Sequence, residues 1–255
     1  MNCNDRRPVF YGAVLGLGLM GLVLRLTASV LALDEKGLLV LTHPAALGLM
    51  ILSAGCVVFA LAAGKKLAGS DQFAHNFGPS LSGAVGQGVL AVCLLLTVLF
   101  QPPQVGGYLG LIWTVLGFVT PICLLFAAYA RYQGKPALFL NHMTLCLYFV
   151  FHVVNHYRGW SADPQPMDYL FPLMASISLI LFAYYQTAFD VDSGKRRPML
   201  VWGIVGIFLC MSSLSDGTDP LIYGGGAAYL AVNLCSLTPV PVESPKEGGA
   251  DHVPS

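Results

Sequence analysis

The sequence predicts an all-α protein, a polytopic transmembrane helical bundle of about eight spans with short loops. Three observations carry that reading. Hydrophobic residues make up 56% of the 255 residues and charged residues only 10%, against about 25% charged in ordinary soluble domains. The apolar residues come in runs of about 20, the helix length that crosses a hydrocarbon core of about 30 Å. Basic residues gather in alternate connections, as the positive-inside rule requires.

Candidate spans fall at 9–33, 43–63, 81–101, 107–130, 137–157, 167–188, 198–214 and 220–238. The first begins after Arg6-Arg7 and carries Gly12, Gly16, Gly18 and Gly21. On a helical wheel Gly18, Gly21, Arg25 and Ser29 share one side, where small residues let another helix come close. Val30-Leu31-Ala32 resembles a signal-peptide cleavage site. The apolar run Val9 to Leu24 exceeds a signal core, however, and Arg25 interrupts it, so the span is expected to stay as an anchor. Gly64 to Ser80, after the second span, reads as an ordinary polar connector. Gly83, Gly86 and Gly88 in the third span, and Gly106, Gly107, Gly110 and Gly117 around the fourth, predict tight helix contacts. Pro121 is expected to kink the fourth span, and Gly224-Gly225-Gly226 to loosen the start of the eighth. Connections such as Gln101-Pro102-Pro103-Gln104 and Ser193-Gly194-Lys195 leave no room for an extramembrane domain. The reading is one bundle domain over 1–238 and a short disordered cytoplasmic tail over 239–255.

Threading eight spans from an inside N-terminus puts Arg6, Arg7, Lys65, Lys66, Arg131, Lys135, Lys195, Arg196 and Arg197 on one side. Only Lys36 and Arg158 fall in the opposite loops, which also collect Asp34, Glu35, Asp163, Asp168, Asp216 and Asp219. Both termini are therefore expected in the cytoplasm, and the plasma membrane is the expected location.

The stretch from Ala137 to Trp160, which holds the fifth span, is the most polar of the hydrophobic segments, with Asn141, His142, His152, Asn155 and His156. At 100° per residue, Asn141, Tyr148, His152, Asn155 and His156 fall within an arc of about 100°, a stripe that should face protein or water. By a rise of 1.5 Å per residue, His152 lies about 22 Å from Ala137 and Arg25 about 24 Å from Val9, at similar depth. An intramembrane arginine is costly unless paired or hydrated. The coincidence predicts an outward-facing polar pocket for a small anionic or zwitterionic ligand or a lipid headgroup. Its expected residues are Arg25, Tyr148, His152, Asn155, His156, Arg158 and Asp216, in a transport or sensing role. A structural ion pair between Arg25 and Asp216 is the rival reading.

Other functions find less support. The 13 basic and 13 acidic residues cancel, so no global field recruits nucleic acid. Seven cysteines show no CxxC spacing, and no disulfide framework or zinc site is expected from them. Two histidines four apart could face a metal or haem. Nothing in the spacing completes such a site, so neither metal nor cofactor is expected. An enzyme acting on a lipid-linked substrate could gather His43, His152, His156, Asp163, Asp168, Asp216, Arg25 and Arg158 at the outer mouth, but these match no catalytic spacing. No internal repeat of the transporter kind is visible. A structural or assembly protein, with membrane lipids as its surroundings, needs none of this chemistry.

Overall fold

A computed structural model describes residues 7–32, 42–67, 71–101, 106–161, 166–217 and 219–238, with side chains for all of these except 7–9, 158–161 and 166–168. The described elements are helices: α1 Arg7–Leu31, α2 Pro44–Lys66, a single turn α3 Phe73–Asn76, α4 Leu81–Phe100, α5 Tyr108–Tyr132, α6 Phe139–Ser161, α7 Pro166–Asp190, α8 Arg196–Ser213 and α9 Pro220–Cys235. A 3-10 turn, Leu214–Asp216, leads out of α8. Among the described residues six stretches are long and apolar enough to cross a membrane: Phe10–Leu31, Pro44–Lys66, Leu81–Phe100, Tyr108–Tyr132, Tyr169–Asp190 and Arg196–Asp216. The chain is thus an integral membrane protein by the length and composition of its helices. Two of the expected eight spans fall outside that set. Helix α6 is diluted by its polar stripe, and α9, at 16 residues, rises only about 24 Å. The expected tail beyond 238 lies outside the described residues.

Local chemistry sets the helix ends. His43 caps α2, its Nδ1 accepting from the Ala45 N–H at 3.3 Å, with Pro44 in the first turn where no N–H is needed. Ser80 caps α4 by accepting from the Gly83 N–H at 3.0 Å. Helix α9 opens with Pro220 behind Asp219, whose side chain makes no capping bond.

Helices α4 to α9 close a ring in which each packs on the next and α9 returns to α4; α7 also touches α9. Helices α1 and α2 pair with each other and dock on α8. Helix α8 is accordingly the most enclosed of the apolar spans, whereas α1, α2, α4 and α5 present outward rows such as Leu19, Ile51, Val58, Val92, Leu99 and Phe126, the apolar belt that lipid tails solvate. Glycines set the close approaches. A Cβ on Gly21 of α1 would lie 2.6 Å from the Phe208 ring of α8, and one on Gly86 of α4 would lie 2.9 Å from Val232 of α9. Gly12, Gly16 and Gly88 meet nothing within 4 Å, so not every glycine of the expected clusters is a contact.

Two expectations need correction. Gly224-Gly225-Gly226 does not loosen α9, which runs unbroken through it. A Cβ on Gly225 would lie 2.8 Å from Cys93 of α4 and one on Gly226 3.0 Å from Leu179 of α7, so the triplet serves close packing on two sides. The connector before α4 is not an ordinary polar loop where it is described. Its Phe73 and Phe77 are buried, Phe77 edge-on to Phe189 and under the Arg131 guanidinium at 3.7 Å. An antiparallel bridge joins Phe77 to Leu237, and Arg196 donates to Asn76 Oδ1 and to the Thr238 carbonyl. The turn plugs one end of the ring, and two cations counted toward orientation, Arg131 and Arg196, are held inside it.

Candidate functional site

The stripe on α6 faces into the bundle. Asn141, Tyr148, His152, Asn155 and His156 are all buried, and His152 is wholly so at 0% exposure. Tyr148, His152 and His156 recur every four residues and so form one row along the helix. Their rings follow suit: Tyr148 stacks on His152 with centroids 6.2 Å apart, His152 and His156 approach to 4.3 Å, and Trp113 of α5 extends the row beyond Tyr148 at 6.1 Å.

At the end of the ring where α6 finishes and α9 begins, Asp219 meets this row. An aspartate at a helix N-cap ordinarily spends its carboxylate on the first free N–H groups. Asp219 is at that position, and the positive end of the α9 dipole suits its charge, but its carboxylate turns into the bundle instead. Its Oδ2 pairs with His156 Nε2 at 3.1 Å and stands 3.8 Å from His152 Nε2, beyond hydrogen-bond reach. The three ligand-type atoms lie within 4.8 Å of one another. His156 Nδ1 is 2.9 Å from the His152 carbonyl, and since a carbonyl only accepts, that nitrogen carries the proton. The Nε2 of His156 is thereby the one turned to Asp219.

Several buried polar atoms in this row have no hydrogen-bond partner among the described residues: Trp113 Nε1, Tyr148 Oη, both ring nitrogens of His152 and Asp219 Oδ2. Leaving such a group unsatisfied costs about 1–3 kcal/mol each. Tyr223 of α9, 6.4 Å from the His152 ring, is by contrast satisfied through Ser176 and the Pro172 carbonyl of α7.

Arg25 of α1 pairs with Asp216, three residues before Asp219 in the lead-in to α9. Its Nε donates to Asp216 Oδ1 at 3.1 Å, Ser215 Oγ donates to the same oxygen at 3.1 Å, and its guanidinium lies 4.8 Å over the Phe171 ring. The rival ion-pair reading of Arg25 is thus the geometry present. Both side chains are largely enclosed, at 4% and 11% exposure.

A second histidine–carboxylate pair occupies the opposite end of α6. His142 Nδ1 donates to Asp190 Oδ2 at 2.6 Å, Gln87 of α4 meets His142 Nε2 at 3.3 Å, and the Ala137 N–H donates to Asp190 Oδ1 at 3.1 Å. Beside it Tyr229 donates to Gln186, and Gln186 to Asn233, across α7 and α9. This network clamps four helices and uses the nitrogens and oxygens it contains, apart from Gln87 Oε1.

Of the expected site residues, Tyr148, His152 and His156 come together, and Arg25 and Asp216 pair beside them. Asn155 is buried on the same face, and the Arg158, Asp163 and Asp168 side chains lie outside the description. His43 is occupied in capping α2. Sequence reasoning missed Asp219 as a partner of the histidines. The signal available was Asp219-Pro220, a helix start on the same side as the end of α6, but Asp219 stands there as one of six outer acids and spacing does not single it out. No known protein family, curated protein or solved structure matches the chain.

Proposed function

We propose that this is an eight-span membrane protein that binds a small ligand in a polar site between α6 and α9, opening to the outer face, in transport or sensing at the plasma membrane. Helix α6 packs along α5 and α7, and α9 along α4 and α8. All four neighbours are apolar spans, which supports a crossing by α6 and α9 as well. The basic residues between alternate spans support cytoplasmic termini. A C-terminal phosphatase fusion that was active in cells would refute that topology.

The observation that carries the ligand reading is the row of buried polar atoms without a hydrogen-bond partner among the described residues at Trp113, Tyr148 and His152, beside the Asp219 carboxylate that pairs with His156. About nine in ten or more buried polar groups in folded proteins have a hydrogen-bond partner, so several unsatisfied ones along one row of rings support a place that a ligand completes. Charge refines the ligand class. Asp216 answers Arg25, which leaves Asp219, turned to the two imidazoles, as the carboxylate a ligand would meet. A cationic group, including the ammonium of a zwitterion, matches this cluster better than a simple anion does.

Thermal unfolding of the purified full chain in detergent tests the reading, with a panel of amino acids, zwitterionic headgroups, anions and cations. A ligand at 100 times its dissociation constant adds about 2.7 kcal/mol. At least one candidate is expected to raise the melting temperature of the wild type and to leave His152→Ala unmoved. A panel without effect on the wild type would return the cluster to a structural role.

A further inference from the structure

We infer that His152, His156 and Asp219 bind a divalent first-row transition metal ion of the zinc type, an inference that rests on reading this cluster as a ligand site. Three features of the geometry point to it. First, the donor set is two imidazoles on one face of α6, four residues apart, and one carboxylate from the start of α9. That combination suits zinc and its neighbours in the first row, and leaves a fourth position open. Second, the spacing fits. Metal–ligand bonds of about 2.0–2.1 Å at tetrahedral angles put ligand atoms about 3.3 Å apart. The observed edges to Asp219 Oδ2 are 3.1 and 3.8 Å, and the whole triangle lies within 4.8 Å. Third, the supporting bond is in place: His156 gives its Nδ1 proton to the His152 carbonyl, which orients the ring and turns Nε2 to the site, as outer-shell partners of metal-bound histidines do.

The contacts themselves argue for a cation in the gap. Two imidazole nitrogens converge on one carboxylate oxygen, His156 Nε2 at 3.1 Å and His152 Nε2 at 3.8 Å, and neither nitrogen of His152 has a hydrogen-bond partner among the described residues. A shared metal ion satisfies Asp219 Oδ2 and His152 Nε2 together, which one proton placed on either ring does not. Tyr148, whose Oη also has no hydrogen-bond partner among the described residues, stands one helical turn before His152 with its ring stacked on the imidazole at 6.2 Å.

The test uses the full chain, purified in detergent, stripped with a chelator, then loaded with Zn²⁺ or Co²⁺ and freed of excess by gel filtration. Close to one equivalent of zinc is expected in the wild type, and a tetrahedral Co²⁺ spectrum without thiolate charge-transfer absorption. Asp219→Asn and His152→Gln are expected to lose both signals. Cys235→Ser, which removes an exposed thiol, is expected to keep them. If a histidine variant fails to fold, the wild-type cobalt spectrum still decides, since a thiolate band overturns the assignment. Retention of metal by Asp219→Asn at the wild-type level overturns it too. Wild-type protein that takes up no metal but is stabilised by an organic ligand, in a way that depends on His152, overturns the metal site and leaves the ligand reading standing. Neither uptake nor stabilisation removes both.

Discussion

Replacing His152 with phenylalanine separates a site from a strut. His152 is wholly buried among the rings of Tyr148, Phe149, His156 and Tyr223, and neither of its nitrogens has a hydrogen-bond partner among the described residues. A buried polar atom without a partner costs about 1–3 kcal/mol, whereas an apolar group of similar shape carries no such penalty. Phenylalanine is slightly larger, and overpacking returns about 1 kcal/mol or more. The ligand-free, chelator-treated His152→Phe protein should therefore be as stable as the wild type or more so, by up to about 2 kcal/mol, with ligand stabilisation gone. His142→Phe provides the contrast, because it breaks bonds to Asp190 and Gln87 that are present. Hydrogen bonds to a charged group contribute about 1.5–3 kcal/mol, so that variant should lose at least about 2 kcal/mol. Melting of both variants in the same detergent decides the matter. If His152→Phe falls as far as His142→Phe, His152 is a structural residue and the ligand reading fails with it.

Arg25→Met and Asp216→Asn should each destabilise the bundle by about 3 kcal/mol, the low end for a broken buried pair, because Ser215 still donates to Asp216. Their double mutant should recover at least about 1 kcal/mol of the summed loss, and additive effects in a double-mutant unfolding cycle would exclude a coupled pair. Gly225→Ala, whose new methyl meets Cys93 at 2.8 Å, should cost about 1–3 kcal/mol by overpacking. Gly12→Ala meets nothing within 4 Å and should change the melting temperature little. Phe77→Ala should cost about 3–5 kcal/mol as a large buried ring is lost, with Arg131 losing its aromatic cover; an unchanged melting temperature would show that the α3 plug is not part of the cooperative unit.

Apolar run length and charge placement made the helices legible, because both are local. The stripe on α6 was legible for the same reason: helical periodicity alone places Tyr148, His152 and His156 on one side, and they are buried there. What periodicity does not reach is the partner across the ring. Asp219 and Asp216 stand three residues apart near the same helix start, and only the packing of α1 and α6 around it assigns Asp216 to Arg25 and Asp219 to the histidines. The plug was hidden differently. Its two phenylalanines lie in a stretch too short for any periodic signal, and their burial depends on Arg131, Phe189 and Leu237 from three distant segments.

The two histidine–carboxylate pairs on α6 are built from the same residue types but differ in how completely their polar atoms are used. At the Asp190 end both imidazole nitrogens and both carboxylate oxygens have protein partners, and folding alone accounts for their presence. At the Asp219 end the carboxylate makes no capping bond, and His152, the most buried histidine among the described residues, has no hydrogen-bond partner among them. Packing gives no reason for a histidine there, since a phenylalanine would fill the same aromatic surroundings without an unsatisfied nitrogen. The clamp holds α6 against α4 and α7 at one end and so fixes the register that brings His152 and His156 level with Asp219 at the other. A site assembled from two helices needs such an anchor, because ligand atoms displaced by even 1 Å no longer share one ion or one substrate group.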